Sequence, residues 1–215
     1  MANVDNPHGL TPIFPSGVGG GSSQGGHVTK MYLPADYATS AFIGDPVTIV
    51  AAGSNDVVVK TVGGTYQVGT LPEVNVTTVG DGNDISGVIV GFEPTTRDSA
   101  VYGAASTVRV ALVNTDPFQE YLIQADGAVP PLSVGLNAVL IATHSGSTVT
   151  GISGMELDTT SDGPAADASN QLVIKRLYNA PDNETNLIHN EVVVRIAVHT
   201  DLPFSATAGD GVLGI

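Results

Sequence analysis

The sequence has no cysteine and no tryptophan, and only seven lysines and arginines in 215 residues. Without cysteine there are no disulfides, thiolate metal sites or cysteine nucleophiles, and thiol redox chemistry is excluded. The basic residues cluster nowhere beyond Lys175-Arg176, against 21 acids and a formal net charge of −14. Phosphate contacts need grouped Lys and Arg, so nucleic acid is not expected as a partner. Aromatics are scarce, six Tyr and five Phe, which counts against a carbohydrate module built on stacked rings. No run approaches the ~18 apolar residues that span a bilayer. The start, MANVDNPHGLTPIFPSG, has neither a basic n-region nor an apolar h-region, so the expectation is a soluble protein made in the cytosol with no membrane partner. The N-x-T sequons at Asn75 and Asn183 then read as chance.

What remains is a chain with 42% apolar and 13% charged residues, whose surface must be covered largely by Thr, Ser, Asn and Gly. Short β-branched runs at 27–33, 46–52, 56–62, 85–92, 106–113, 118–125, 136–142, 171–178 and 190–199 are bounded by Gly, Pro, Asn or Asp and predict strands. In the last, Val192, Val194, Ile196 and Val198 alternate with polar residues, as a half-buried strand requires. The same reading puts Val88, Val90 and Phe92 on one core face, and Val108, Val110 and Leu112 on another, opposite Arg109. No stretch carries a helical apolar stripe, and PADYATSAF at 34–42 predicts at most a short turn. The expected fold is all-β: an antiparallel β-sandwich, jelly-roll or barrel body over 28–202, an extended Gly-rich N-terminal arm over 1–27, and a C-terminal tail over 203–215. With few lysines to guard its edge strands, such a body has covering by a partner subunit as one remedy.

Glycine and serine fill all but two positions of SGVGGGSSQGG at 16–26. The stretch has no G-K-[ST], fails the G-x-G-x-x-G spacing and precedes a strand rather than a helix, so it predicts a linker or an arm lying on a neighbour, not a phosphate cradle. VGDGNDISG at 79–87 holds Asp81, Asn83 and Asp84, which offer either a single calcium-binding turn or a hairpin turn; the turn is the plainer reading. Histidines 8, 27, 144, 189 and 199 lack metal-ligand spacing, leaving only pairing across the fold. His144, Ser145 and Asp158 suggest a triad, but no G-x-S-x-G elbow accompanies them. Glu93, Glu120, Glu156 and Glu191 are too scattered to nominate as paired carboxylates. No cofactor or catalytic residue is therefore expected.

The order of phrases says more than any one of them. MANVDNPHGLTPI, a Gly-rich link, YLPADYATSAFIGDPVTIV, GVIVGFEP, VRVALVNTDPFQEYLIQADG, GISGMELD, LVIKRLYNAPDNE and NEVVVRIAVH run through nearly the whole chain. In this order they resemble a group of tailed-bacteriophage virion proteins typically encoded beside the major capsid protein. The resemblance implies a capsid decoration, or cement, protein: a non-enzymatic β module on the outer surface of the assembled shell that stabilises contacts between capsomers. Its expected partners are the major capsid protein and its own copies, as a homotrimer or homodimer, and its expected location is the virion, after synthesis in the bacterial cytoplasm. Strong acidity suits the outside of a shell better than the DNA-filled inside. The interface residues expected on this reading are Val4, Leu10, Ile13 and Phe14 of the Pro-stiffened arm, with Leu213 and Ile215 of the tail. Another virion position, in the tail or at the head-tail junction, and a carbohydrate- or receptor-binding module stay open as alternatives.

Overall fold

The computed structural model describes residues 3–13, 28–54 and 58–201. The Gly-rich stretch, Phe14, Leu213, Ile215 and the tail lie outside the described residues. The fold is all-β, with a single short 3-10 turn at Pro131–Ser133 and no α-helix among the described residues. Strands are numbered in chain order and fall into two main groups. A closed five-stranded barrel runs in the order β2 (Val28–Leu33), β6 (Pro72–Val76), β3 (Pro46–Ser54), β7 (Gly87–Glu93), β8 (Arg109–Asn114). An antiparallel five-stranded sheet runs β1 (Thr11–Ile13), β9 (Glu120–Gln124), β14 (Glu191–Ile196), β13 (Leu172–Leu177), β10 (Asn137–Ala138). Two small ladders complete the fold: β4 (Val59–Thr61) with β5 (Gly64–Tyr66), and β11 (Leu140–Ile141) with β12 (Glu156–Leu157).

Each group has its own core. Met31, Leu33, Val47, Val74, Ile89, Ala111 and Val113 fill the barrel. The sheet core gathers Tyr121, Ile123, Leu172, Ile174, Val192, Val194 and Ile196 from its strands, as the alternation in the last strand predicts. The two cores meet at β7, where Val88 belongs to the sheet core and its neighbour Ile89 to the barrel. Successive residues of a strand point to opposite faces, so burial of both means that β7 is walled on each side. A register shift between Ile89 and Gly91 then changes the phase, and Phe92, not Val90, packs beside the barrel residues. The expected Val88, Val90, Phe92 face is corrected accordingly. In β8 the expected face is also incomplete. Val110, with Val108 against it, packs under the β4–β5 hairpin, while Ala111 and Val113 on the opposite face line the barrel. Arg109 is buried there, its guanidinium 5.5 Å from the Phe92 ring centroid and donating to Ala100 O at 3.0 Å.

The largest departure from expectation is at the N-terminus. Residues 3–13 lie on the chain's own body instead of extending away from it. Thr11, Pro12 and Ile13 pair antiparallel with Leu122, Tyr121 and Glu120, and Leu10 is fully buried in the sheet core. Two glycines allow the close approach. Gly9 (φ 65°) and Gly44 (φ 98°) both hold left-handed backbone. A Cβ on Gly9 would stand 2.6 Å from Ser153 Cβ, and one on Gly44 would stand 2.6 Å from His8 O. The sheet edge is thus covered from within, by a three-residue strand whose central residue is a proline.

Candidate functional site

The N-terminal segment meets the loop between β13 and β14, and side-chain amides hold the junction. An Asn or Gln side chain carries both a donor and an acceptor and can replace a missing backbone partner. Asn3 Nδ2 donates to Glu184 O and Ile188 O at 3.0 Å each, and its Oδ1 accepts from Glu184 N at 2.7 Å. Gln124 Nε2 donates to both Val4 O (2.8 Å) and His189 O (3.3 Å), while its Oε1 accepts from Asn6 N at 2.8 Å. Asn183 closes the loop by donating to Tyr178 O and Glu191 O and accepting from Glu191 N. Asn190, wholly buried, exchanges two hydrogen bonds with the backbone of Val129. Asn186 and His189 take left-handed backbone, at φ 66° and 58°. A loop so pinned is a fixed surface.

That surface is apolar at its crest. Val4 is 75% exposed, Ile188 58% and Leu187 44%, and the Asn3 and Gln124 hydrogen bonds bring the two strips of backbone together. These apolar side chains are held out to solvent on a braced loop, where they are open to contact. Leu187 and Ile188 are not among the expected interface residues, because NLIHN has no periodicity and reads only as a connector.

The other sequence candidates are placed as follows. Val4 is exposed, Ile13 is half-buried at the end of β1, and Leu10 is interior, so Leu10 anchors the chain to itself and is not available to another protein. Asn83 Nδ2 donates to Gly80 O and Asp81 O, and the loop is fastened from beneath by Gln171. The 79–87 segment is thus a turn, but not the expected hairpin: it links β6 to β7, which both pair with β3 and not with each other. Asp81 faces Asp162 and Asp167, and its carboxyl is raised from its ordinary value by burial first and then by those neighbours. His144 Nδ1 faces Glu156 Oε2 at 2.9 Å, and Asp158 Oδ1 accepts from Thr160 N and Ser161 N, so each is engaged with a group outside the suggested triad. Each scattered glutamate has its own partner: Glu93 with Lys30, Glu120 with Arg176, Glu156 with His144 and Glu191 with His8.

Two buried ionisable groups bear on the fold's pH response. Asp45, beside Gly44, accepts from Phe42 N at 2.8 Å; its burial pushes the carboxyl up to about 6, against the pull of Ser153 and Phe42. His199, three residues past the end of β14 and bridged to Ile85, is held below the ordinary imidazole range by burial, only partly offset by Asp201 and Asp116. Comparison with protein-family models, curated proteins and solved structures gave no match, so the reading of function rests on the chain's own residues.

Proposed function

We propose that the chain is a tailed-bacteriophage virion protein of the capsid decoration type, which sits on the outer surface of the assembled shell and fastens neighbouring capsomers. The observation that carries the reading beyond the resemblance is the braced apolar face of Val4, Leu187 and Ile188. Rigid apolar side chains bind with little loss of conformational freedom, which suits a part that attaches repeatedly and permanently. Because the edge strand β1 is only three residues long and has a proline at its centre, attachment at this end proceeds through side chains in pockets and not by strand addition. The formal charge of −14 keeps free copies apart, and repetition around a symmetric shell multiplies a modest single-copy affinity. The partners are the major capsid protein and sister copies, in a homotrimer or homodimer.

Co-sedimentation with purified shells that lack the protein tests the proposal. Saturable binding at a fixed copy number per capsomer is expected, reduced at least tenfold in affinity by Val4→Ser with Ile188→Ser. Absence of binding to shells, or a copy number of a few per particle, would overturn it in favour of another virion position.

A further inference from the structure

Beneath the apolar face lies a group of side chains that sequence spacing does not reveal. Asp5, Glu156 and His189 each place a ligand atom within 4.8 Å of the other two, and among the described residues this is the one such group of three. They come from three distant parts of the chain: the N-terminal segment, β12 and the loop before β14.

Glu156 is the buried member, its side chain 1% exposed. Thr143 Oγ1 and His144 Nδ1 both bond its Oε2, at 2.9 Å each. This leaves Oε1 buried without a hydrogen-bond partner, and His189 Nδ1 is buried and unpartnered as well. The nearest carboxylate oxygen to that nitrogen, Asp5 Oδ1, is 3.8 Å away, too far for a hydrogen bond. An orphaned carboxylate oxygen and an orphaned imidazole nitrogen in one buried place are each costly, unless something charged joins them.

We propose that Asp5, Glu156 and His189 bind a divalent transition-metal ion, best matched by Zn2+. One imidazole nitrogen with two carboxylate oxygens is a donor set suited to zinc; calcium asks for six or more oxygens, and magnesium keeps its waters. Tetrahedral zinc ligands stand roughly 3.4 Å apart, so the three side chains, now within 4.8 Å of one another, close further around the ion, and Asp5, whose side chain is 47% exposed, has room to turn toward it. Thr143 and His144 hold the far oxygen of Glu156 and fix the ligand's orientation, as outer partners do at metal sites. A water completes the fourth position of a tetrahedral ion held by three side chains. Asp5 follows Val4, and His189 follows Ile188. The ion therefore ties both strips of the apolar face to one buried carboxylate, whether or not a partner is bound.

The test uses the untagged full chain, stripped with a chelator and titrated with Zn2+ by calorimetry and with Co2+ by visible absorption. One ion per chain is expected, with the intense d–d bands of tetrahedral cobalt and slower amide exchange over residues 3–10 on binding. Asp5→Asn and His189→Ala, both at the partly exposed side of the site, are each expected to weaken binding at least tenfold without unfolding the chain. His144→Ala, a positioning change, is expected to have a smaller effect. Lack of saturable zinc binding, full-strength binding in the Asp5→Asn, His189→Ala double variant, or saturation by Ca2+ or Mg2+ alone would overturn the site.

Discussion

The barrel strands return to their starting point, β8 pairing with β2, whereas the sheet strands end on β1 at one side and β10 at the other. Barrel closure leaves no edge, so its strands from Val28 to Asn114 supply all they need. The sheet is completed by borrowed pieces: Leu10 from the N-terminal segment, Ile85 and Val88 from the approach to and start of β7, Leu140 and Leu157 from the β11–β12 ladder. The part of the molecule that makes the candidate docking face is thus also the part that depends most on distant segments. Fixing one fixes the other.

That contrast is most easily broken at the N-terminus. Removing residues 1–13 takes away an edge strand and a buried leucine together, and is expected to unfold the sheet while the barrel strands keep their amide protection. Leu10→Ala alone is expected to cost about 2–5 kcal/mol in denaturant unfolding. Equal stability of either variant and the parent chain would mean that the segment is not part of the fold.

A second prediction concerns the joint between barrel and N-terminal segment, at Asp45. Its folded pKa of about 6 lies above the ordinary 3.8, so the folded state binds the proton more tightly. The corresponding stability is present at low pH and is lost as pH rises from 3.8 through 6. Asp45→Asn keeps an acceptor for Phe42 N but cannot ionise. Between pH 4 and pH 7 the stability difference is expected to move by about 2 kcal/mol in the variant's favour, measured by urea unfolding across that range. His199 acts in the other direction in both chains, its depressed pKa withdrawing stability as pH falls below the imidazole range. A pH-independent difference between the two chains would contradict the assignment to Asp45.

A smaller effect is expected on the barrel side. Glu93 Oε1 accepts from Thr61, and Oε2 accepts from Tyr66 and lies 3.2 Å from Lys30 Nζ, fastening the β4–β5 hairpin to the barrel. Burial raises this carboxyl, but the bonds from Tyr66, Thr61 and Lys30 outweigh it and leave the pKa lowered. Glu93→Gln is expected to destabilise by about 1–3 kcal/mol, with faster exchange confined to residues 59–66. The smallest stability effect, within about 0.5 kcal/mol, is expected for Val4→Ser with Ile188→Ser, the same pair expected to lose shell binding.

The strands and the all-β class were legible because β-branched runs bounded by turn residues report directly on local backbone preference. Alternation located the core face of β14, where the strand is regular, and failed in β7 and β8. There a bulge shifts the phase and both faces are covered, so polarity no longer distinguishes inside from outside. The N-terminal segment departs from expectation for a different reason. Leu10 in a Pro-rich segment looks the same whether it fills a pocket on another protein or in its own body, and only the left-handed Gly9 and Gly44 reveal the second outcome. The candidate docking face and the Asp5, Glu156, His189 group were invisible because they join the N-terminal segment to residues more than a hundred positions away through side-chain amides and buried orphans, which leave no spacing to read.

Single-particle reconstruction of the intact virion tests the central claim most directly. The proposed role predicts density for this fold on the outer shell, with Val4, Leu187 and Ile188 seated against a capsomer. Density in the tail, inside the shell, or on the shell with that face turned to solvent would contradict it.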